Sequence, residues 1–139
     1  MIVTFCGHRD VTDEAVIVTS LEETVENLIL CGATQFYLSG YGHFDYIAAK
    51  TVKKLQMEYP QIESILILPY LNRNYDPSLY DATIYPPLEA TPQKYAIVKR
   101  NKWMVDAADT IIAYVKYSFG GAAKTLEYAK KRKKRICEL

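Results

Sequence analysis

The sequence predicts an α/β fold, a Rossmann-like three-layer αβα sandwich with a mainly parallel sheet, as one domain over residues 1–139. Three observations predict it. Apolar, β-rich runs alternate with segments of helical periodicity, and no hairpin signal joins consecutive strands. The runs at 64–68 (SILIL) and 110–115 (TIIAYV) lack polar interruption, as strands covered on both faces do. A chain of 139 residues is long enough to bury one core without staples.

Residues 2–6 (IVTFC) form the first expected strand, and the polar turn Gly7-His8-Arg9-Asp10 ends it. Thr12 is placed to cap a helix with Asp13 and Glu14 in its first turn. Val18, Leu21, Val25 and Leu28 recur at helical spacing, and Gly32 closes that helix. Residues 35–39 (QFYLS) read as strand two. After the loop at 40–45, Ala48, Val52 and Leu55 mark a helix that stops before Pro60. Strand three, 64–68, ends at Pro69. Residues 70–91 carry several tyrosines and Pro77, Pro86 and Pro87, and are expected to be a long ordered loop with at most a short helix and strand. Pro92 opens a helix that runs to about Ala107. The strand at 110–115 follows, then a loop, a helix from about Gly120 to Lys131, and a short last strand at Ile136 and Cys137.

Composition narrows the function classes. Seventeen basic against sixteen acidic residues give a net charge of +1, which argues against a general polyanion binder. Three cysteines without CxxC spacing indicate neither a disulfide framework nor a zinc site, and no metal or cofactor is expected. No apolar run approaches the ~18 residues of a membrane span. No leader is expected, and the cytoplasm is the expected location. Twelve tyrosines suit half-wet pockets or ordinary sheet packing.

In a parallel sheet, right-handed crossovers put every strand-to-helix loop at one edge, where ligands bind. That rule selects the loops at 7–10, 39–45, 69–76 and 116–121. The strongest local signal is the run Ser118-Phe119-Gly120-Gly121-Ala122-Ala123-Lys124-Thr125-Leu126-Glu127, two glycines opening a helix after a buried strand. Such a turn lets backbone N–H groups approach an anion, helped by the helix dipole, although a pair of glycines also makes a plain tight turn. In the preceding helix Arg100 and Met104 share a face beside Asn101, and an arginine facing the glycines offers a planar fork for phosphate or carboxylate. His8 and Arg9 can reach the same ligand or serve as structural hydrogen-bonders. Tyr70, Asn72 and Tyr75 follow strand three, where a ring can stack on a base. Asp45 reads equally as a reserve acid or as a helix-dipole partner, and His43 as a surface residue.

Together these pieces resemble the SLOG superfamily, which unites the LOG phosphoribohydrolases with the DNA-processing protein DprA. The matching residues run in order: Phe5-Cys6-Gly7-His8-Arg9, then Ser39, Gly40 and Asp45, then Pro69. Arg100-Asn101-Lys102-Trp103-Met104 and the Gly120-Gly121 segment complete the series. The pattern is most similar to small stand-alone SLOG proteins of the YpsA kind. The resemblance implies a ligand site made by Gly7, His8, Arg9, Ser39, Gly40, Gly42, Asp45, Pro69, Tyr70, Arg100, Asn101, Ser118, Gly120, Gly121, Ala122, Lys124 and Thr125. In LOG enzymes an arginine and a glutamate at the positions of Arg100 and Glu127 help cleave the N-glycosidic bond of a nucleoside 5′-monophosphate. Here Phe119, Ala123 and Lys124 depart from that family's motif.

Three function classes follow. The preferred one is binding of a nucleotide or nucleotide-derived ligand, as a sensor or regulatory module. The second is an N-glycosidase using Arg100 and Glu127, with electrostatic fixation of the phosphate. The third is a DNA-associated protein using the basic block from Lys130 to Arg135, which reads equally as a solvated helix end. A homodimer or higher homo-oligomer is expected, because the aromatic loop at 70–91 is large for a solvated segment.

Overall fold

The computed structural model describes all 139 residues. Strands β1 (Ile2–Gly7), β2 (Gln35–Leu38), β3 (Glu63–Ile67), β4 (Ala82–Ile84), β5 (Thr110–Tyr114) and β6 (Arg135–Glu138) form one sheet. Four helices alternate with them: α1 (Glu14–Leu30), α2 (His43–Gln56), α3 (Gln93–Ala107) and α4 (Gly121–Lys131). The strand order is β4-β3-β2-β1-β5-β6 and every neighbouring pair is parallel. The chain therefore walks outward from β1 to β4, then returns across the sheet to place β5 on the other side of β1. The loops leaving β1 and β5 diverge at that reversal, which is where an open α/β sheet forms a crevice.

Side chains alternate across β1, and the two faces have different cores. Val3 and Phe5 join Leu21, Val25, Phe36, Phe44 and Val52 between the sheet and the α1–α2 layer. Cys6 joins Val105, Ile111, Leu126 and Ala129 under α4 and the end of α3. Tyr37, Ile65, Ile67 and Met104 pack under the C-terminal part of α3 on the other side of β1. Each such aliphatic or aromatic burial contributes about 1.5–3 kcal/mol, and this holds the helices against the strand ends.

One local expectation changes. Thr12 does not cap α1: the cap position is Asp13, without a side-chain bond to the helix, and the Thr12 hydroxyl donates to Asp13 Oδ1 at 3.0 Å. The segment at 70–91 is the ordered loop expected, with its short helix and strand. It contains a 3-10 turn (Pro77–Leu79) and the edge strand β4, which pairs with β3 from Ile65 to Ile67. Asp81 fixes the approach to β4 by accepting from the Ser64 N–H (2.7 Å) and pairing with Lys53 (2.6 Å). Those bonds join residues far apart in sequence, so periodicity carries no trace of them.

Candidate functional site

A cleft of about 310 Å³ opens at the C-terminal edge of the sheet, above the reversal between β1 and β5. The loop after β1 contributes Gly7, His8 and Arg9, and the loop after β2 contributes Ser39, Tyr41 and Gly42. Asp45 of α2 lies at the back, while α3 supplies Ile97, Arg100, Asn101, Met104 and Val105. Tyr117, Gly120, Gly121, Ala122 and Thr125 close the opposite wall, with Thr4, Phe5 and Cys6 as the floor.

Arg100 is the largest fully buried side chain, only 1% exposed. Its Nη1 donates to the carbonyls of Ser39 and Ile67, both at 3.0 Å, and its Nε donates to Asn101 Oδ1 at 2.9 Å. The guanidinium thus ties the ends of β2 and β3 together, while Nη2 makes no bond within the chain and is left for the cleft. Burial lowers the Arg100 pKa to about 10, partly opposed by the nearby Asp45, so at neutral pH the charge persists. A desolvated guanidinium with its Nη2 free attracts a carboxylate or phosphate through charge-assisted hydrogen bonds.

The α4 N-terminus faces the same space. No side chain caps it, no acid lies in its first turn, and the first helical bond runs from the Lys124 N–H to the Gly120 carbonyl. The N–H groups of Gly121, Ala122 and Ala123 therefore have no acceptor in the chain, as the first turn of any helix requires. The Cys6 thiol donates to the Ala122 carbonyl at 3.1 Å and pins this turn to β1. Burial pushes that thiol up to about 12, so Cys6 is a hydrogen-bond donor rather than a nucleophile.

Asp45 is buried and serves the loop before it. Oδ1 accepts from the Ser39 N–H (2.9 Å) and the Ser39 hydroxyl (3.0 Å), and Oδ2 accepts from the Gly40 N–H (2.7 Å). Burial raises its pKa, against the lowering effect of those bonds and of Arg100. His8 is also buried, and its Nε2 accepts the Lys116 N–H at 2.8 Å. Desolvation, and then the Lys116 charge, lower its pKa, so the ring is neutral with its proton on Nδ1.

Twelve of the residues expected at the site line the cleft: Gly7, His8, Arg9, Ser39, Gly42, Asp45, Arg100, Asn101, Gly120, Gly121, Ala122 and Thr125. Gly40, Pro69, Tyr70, Ser118 and Lys124 do not. Gly40 faces a second, smaller hollow shared with Arg73, Tyr75 and Tyr80, while Ser118 and Lys124 are exposed. Glu127 lies outside the cleft too. It is on the outer face of α4, 70% exposed and 4.0 Å from Lys131, because the α4 residues that face inward are Ala122, Thr125, Leu126 and Ala129.

Sequence reasoning missed Tyr41, Tyr117 and Arg73. Tyr41 stands between two glycines and Tyr117 follows β5, so both lay in loops that the parallel-sheet rule selects. Arg73 lay in the selected loop at 69–76 as well, but nothing local marks the long-range contact it makes. Its Nη1 donates to the Ser39 carbonyl at 2.9 Å and its guanidinium lies 3.7 Å over the Tyr41 ring, with Arg100 at 5.3 Å from that ring.

The basic block lies away from the cleft. α4 runs back to the opposite edge of the sheet, where Arg132 pairs with Asp106 (2.9 Å). Lys134 donates there to the carbonyls of Asp106 (3.1 Å) and Ala108 (2.9 Å) and so caps the end of α3. No helix is long and apolar enough to cross a membrane.

No protein-family model matches the sequence, and no curated protein matches it significantly. Solved structures do share its architecture. DNA processing protein A from Helicobacter pylori, described with a single-stranded DNA binding mode, aligns with a TM-score of 0.67 at 19% identity, over 99% of this chain and 64% of its own. Its counterpart from Streptococcus pneumoniae gives 0.70 at 16%, over 98% and 49%. The molybdenum cofactor carrier protein from Chlamydomonas reinhardtii gives 0.64 at 16%, over 99% and 75%. This chain thus spans about two-thirds and one-half of the two DNA processing proteins. With its six-stranded parallel sheet and covering helices, the chain has the Rossmann-like α/β fold that these structures share.

Proposed function

We propose that this protein binds a nucleotide or nucleotide-derived ligand in the cleft and acts as a sensor or regulatory module of the YpsA-like kind. One observation carries the reading: the unpartnered amides at the start of α4 and the buried Arg100 line the same cleft. Helix N-termini favour phosphate, and a buried guanidinium adds charge-assisted bonds. Small-molecule pockets commonly begin at about 300 Å³, which suits a mononucleotide. That one protein of this fold binds single-stranded DNA and another carries a cofactor fits a nucleotide-type ligand without choosing one.

Two alternatives have less support. An N-glycosidase needs a carboxylate at the reacting bond, and Glu127 faces solvent while both Asp45 oxygens serve the loop at 39–40. A DNA-associated role through the basic block would act at the edge away from the cleft, where Arg132 and Lys134 are already engaged within the chain. Self-association rests on the exposed apolar residues Tyr95 and Val98 of α3.

Calorimetric titration with AMP and GMP tests the reading. Saturable binding is expected, and Gly121→Leu, whose Cβ meets no atom within 4 Å, is expected to cover the amides while the fold persists. Loss of one charge-assisted bond weakens binding by about tenfold or more. No binding by the native chain, or an unaffected Gly121→Leu variant, overturns the proposal. Release of free base that Glu127→Gln abolishes would instead establish the hydrolase.

A further inference from the structure

Three aromatic rings form a ladder whose first two, His8 and Tyr117, line the cleft and whose third, Phe119, stands beyond its lining. His8 stacks on Tyr117 with ring centres 3.8 Å apart and planes 8° apart, and Tyr117 stacks on Phe119 at 4.5 Å and 28°. The ladder starts among buried residues at His8, passes through Tyr117 at 45% exposure, and ends at Phe119 at 70%. Phe119 directly precedes the Gly120-Gly121 turn in the chain, and its outer face is left open. A phenyl ring left this exposed forgoes the hydrophobic gain of burial.

A second feature points to a ligand in the same place. His8 Nε2 accepts the Lys116 N–H, which leaves the ring's proton on Nδ1. Nδ1 has no partner in the chain, and no fully buried side-chain nitrogen or oxygen lacks one, so this N–H is open to the cleft that His8 lines. His8 itself is only 5% exposed. A donor held so deeply, in a fixed tautomer, suits a ligand acceptor.

We propose that the ligand of this cleft is an aromatic mononucleotide whose base stacks on the open face of Phe119, extending the ladder by one ring. This rests on the nucleotide reading above and adds a specificity residue to it. The ribose and phosphate would then lie toward the α4 amides, His8 Nδ1–H and Arg100. A single nucleotide is favoured over a strand, because the basic block lies at the sheet edge opposite the cleft.

The test compares AMP, ribose 5-phosphate and a twelve-residue oligodeoxyadenylate on the native chain, Phe119→Ala and Phe119→Trp. Base–aromatic stacking is worth about tenfold in affinity. AMP is therefore expected to bind about tenfold more tightly than ribose 5-phosphate, to lose that advantage in Phe119→Ala, and to regain it in Phe119→Trp. Ribose 5-phosphate should bind all three alike within about twofold. Since Phe119 is largely exposed, neither substitution threatens the fold. Equal affinity for AMP and ribose 5-phosphate in the native chain, or AMP binding that Phe119→Ala leaves unchanged, overturns the base platform while the anion cleft stands. An oligonucleotide that outcompetes AMP overturns the mononucleotide assignment. Binding of none of the three overturns both readings.

Discussion

Helices α2 and α4 begin on glycines of nearly the same backbone geometry. Gly42 has φ 88° and ψ 166°, and Gly120 has φ 92° and ψ 177°, a region almost closed to other residues. At α2 the protein fills the space it creates. Asp45 stands in the first turn, its carboxylate gathers the N–H groups of Ser39 and Gly40, and the His43 N–H donates to the Arg9 carbonyl at 2.8 Å. At α4 there is no acid in the first turn, no cap, and nothing within 4 Å of a Cβ built on Gly120 or Gly121. The helix dipole is comparable at both ends, so it does not by itself make a binding site. What differs is whether the chain supplies the counter-charge. α2 carries its own, and α4 leaves room for one from outside.

Arg100 connects the two ends, and replacing it should have the largest effect. Its Nη1 holds the Ser39 carbonyl on the α2 side, and its free Nη2 belongs to the cleft that α4 closes. Arg100→Met keeps most of the volume but removes the buried donors from Ser39 and Ile67 and the cation beside Asp45. Leaving such groups short of partners costs about 2–4 kcal/mol. Chemical denaturation should show that loss, together with loss of nucleotide binding. A variant as stable as the native chain would mean that the α2 side is held by Arg73 and Asp45 alone.

The next effect separates filled from open directly. Any side chain at Gly42 or Gly120 meets a backbone strain of about 1–3 kcal/mol. At Gly42 the added Cβ would also lie 3.0 Å from the Arg9 Cα, whereas at Gly120 it meets nothing. Gly42→Ala should therefore be the more destabilising of the two by about 1 kcal/mol, the usual scale of a local overpacking. Thermal unfolding of both variants measures the difference. Equal losses would show that backbone strain alone governs both ends and that the packing contrast is immaterial.

The same contrast explains what could be read from the sequence. The strands and helices were legible because their apolar residues repeat at the periods of the elements that bury them, as Leu21, Val25 and Leu28 do in α1. The open end was legible too, since Gly120-Gly121 after a buried strand needs only local rules and Arg100 lies on the inner face of α3. The filled end was not. The role of Asp45 depends on which N–H groups a six-residue loop returns to it, and Arg73 reaches Ser39 from 34 residues away. Glu127 failed for another reason: family spacing placed it at the site, but the rotation of α4 that buries Leu126 and Ala129 turns it outward.

The two ends should also differ in the sign of their response to pH, the smallest of these effects. His8, on the α4 side, has a pKa lowered by burial and by Lys116, with Tyr114 and Tyr117 packed on its ring. As pH falls through about 6.5 the unfolded chain takes up the proton first, so His8 makes the protein less stable toward acid. Asp45, on the α2 side, has a pKa raised chiefly by burial. Between the ordinary carboxylate value and its raised one the folded chain holds the proton more tightly, so this group makes the protein more stable as pH falls through that window. Denaturation curves across pH 4–7 should therefore show His8→Gln losing less stability toward acid than the native chain, and Asp45→Asn losing more. Parallel shifts of the same sign in both variants would mean that the two helix ends share one electrostatic environment, and the distinction between a self-satisfied terminus and a ligand-ready one would not hold.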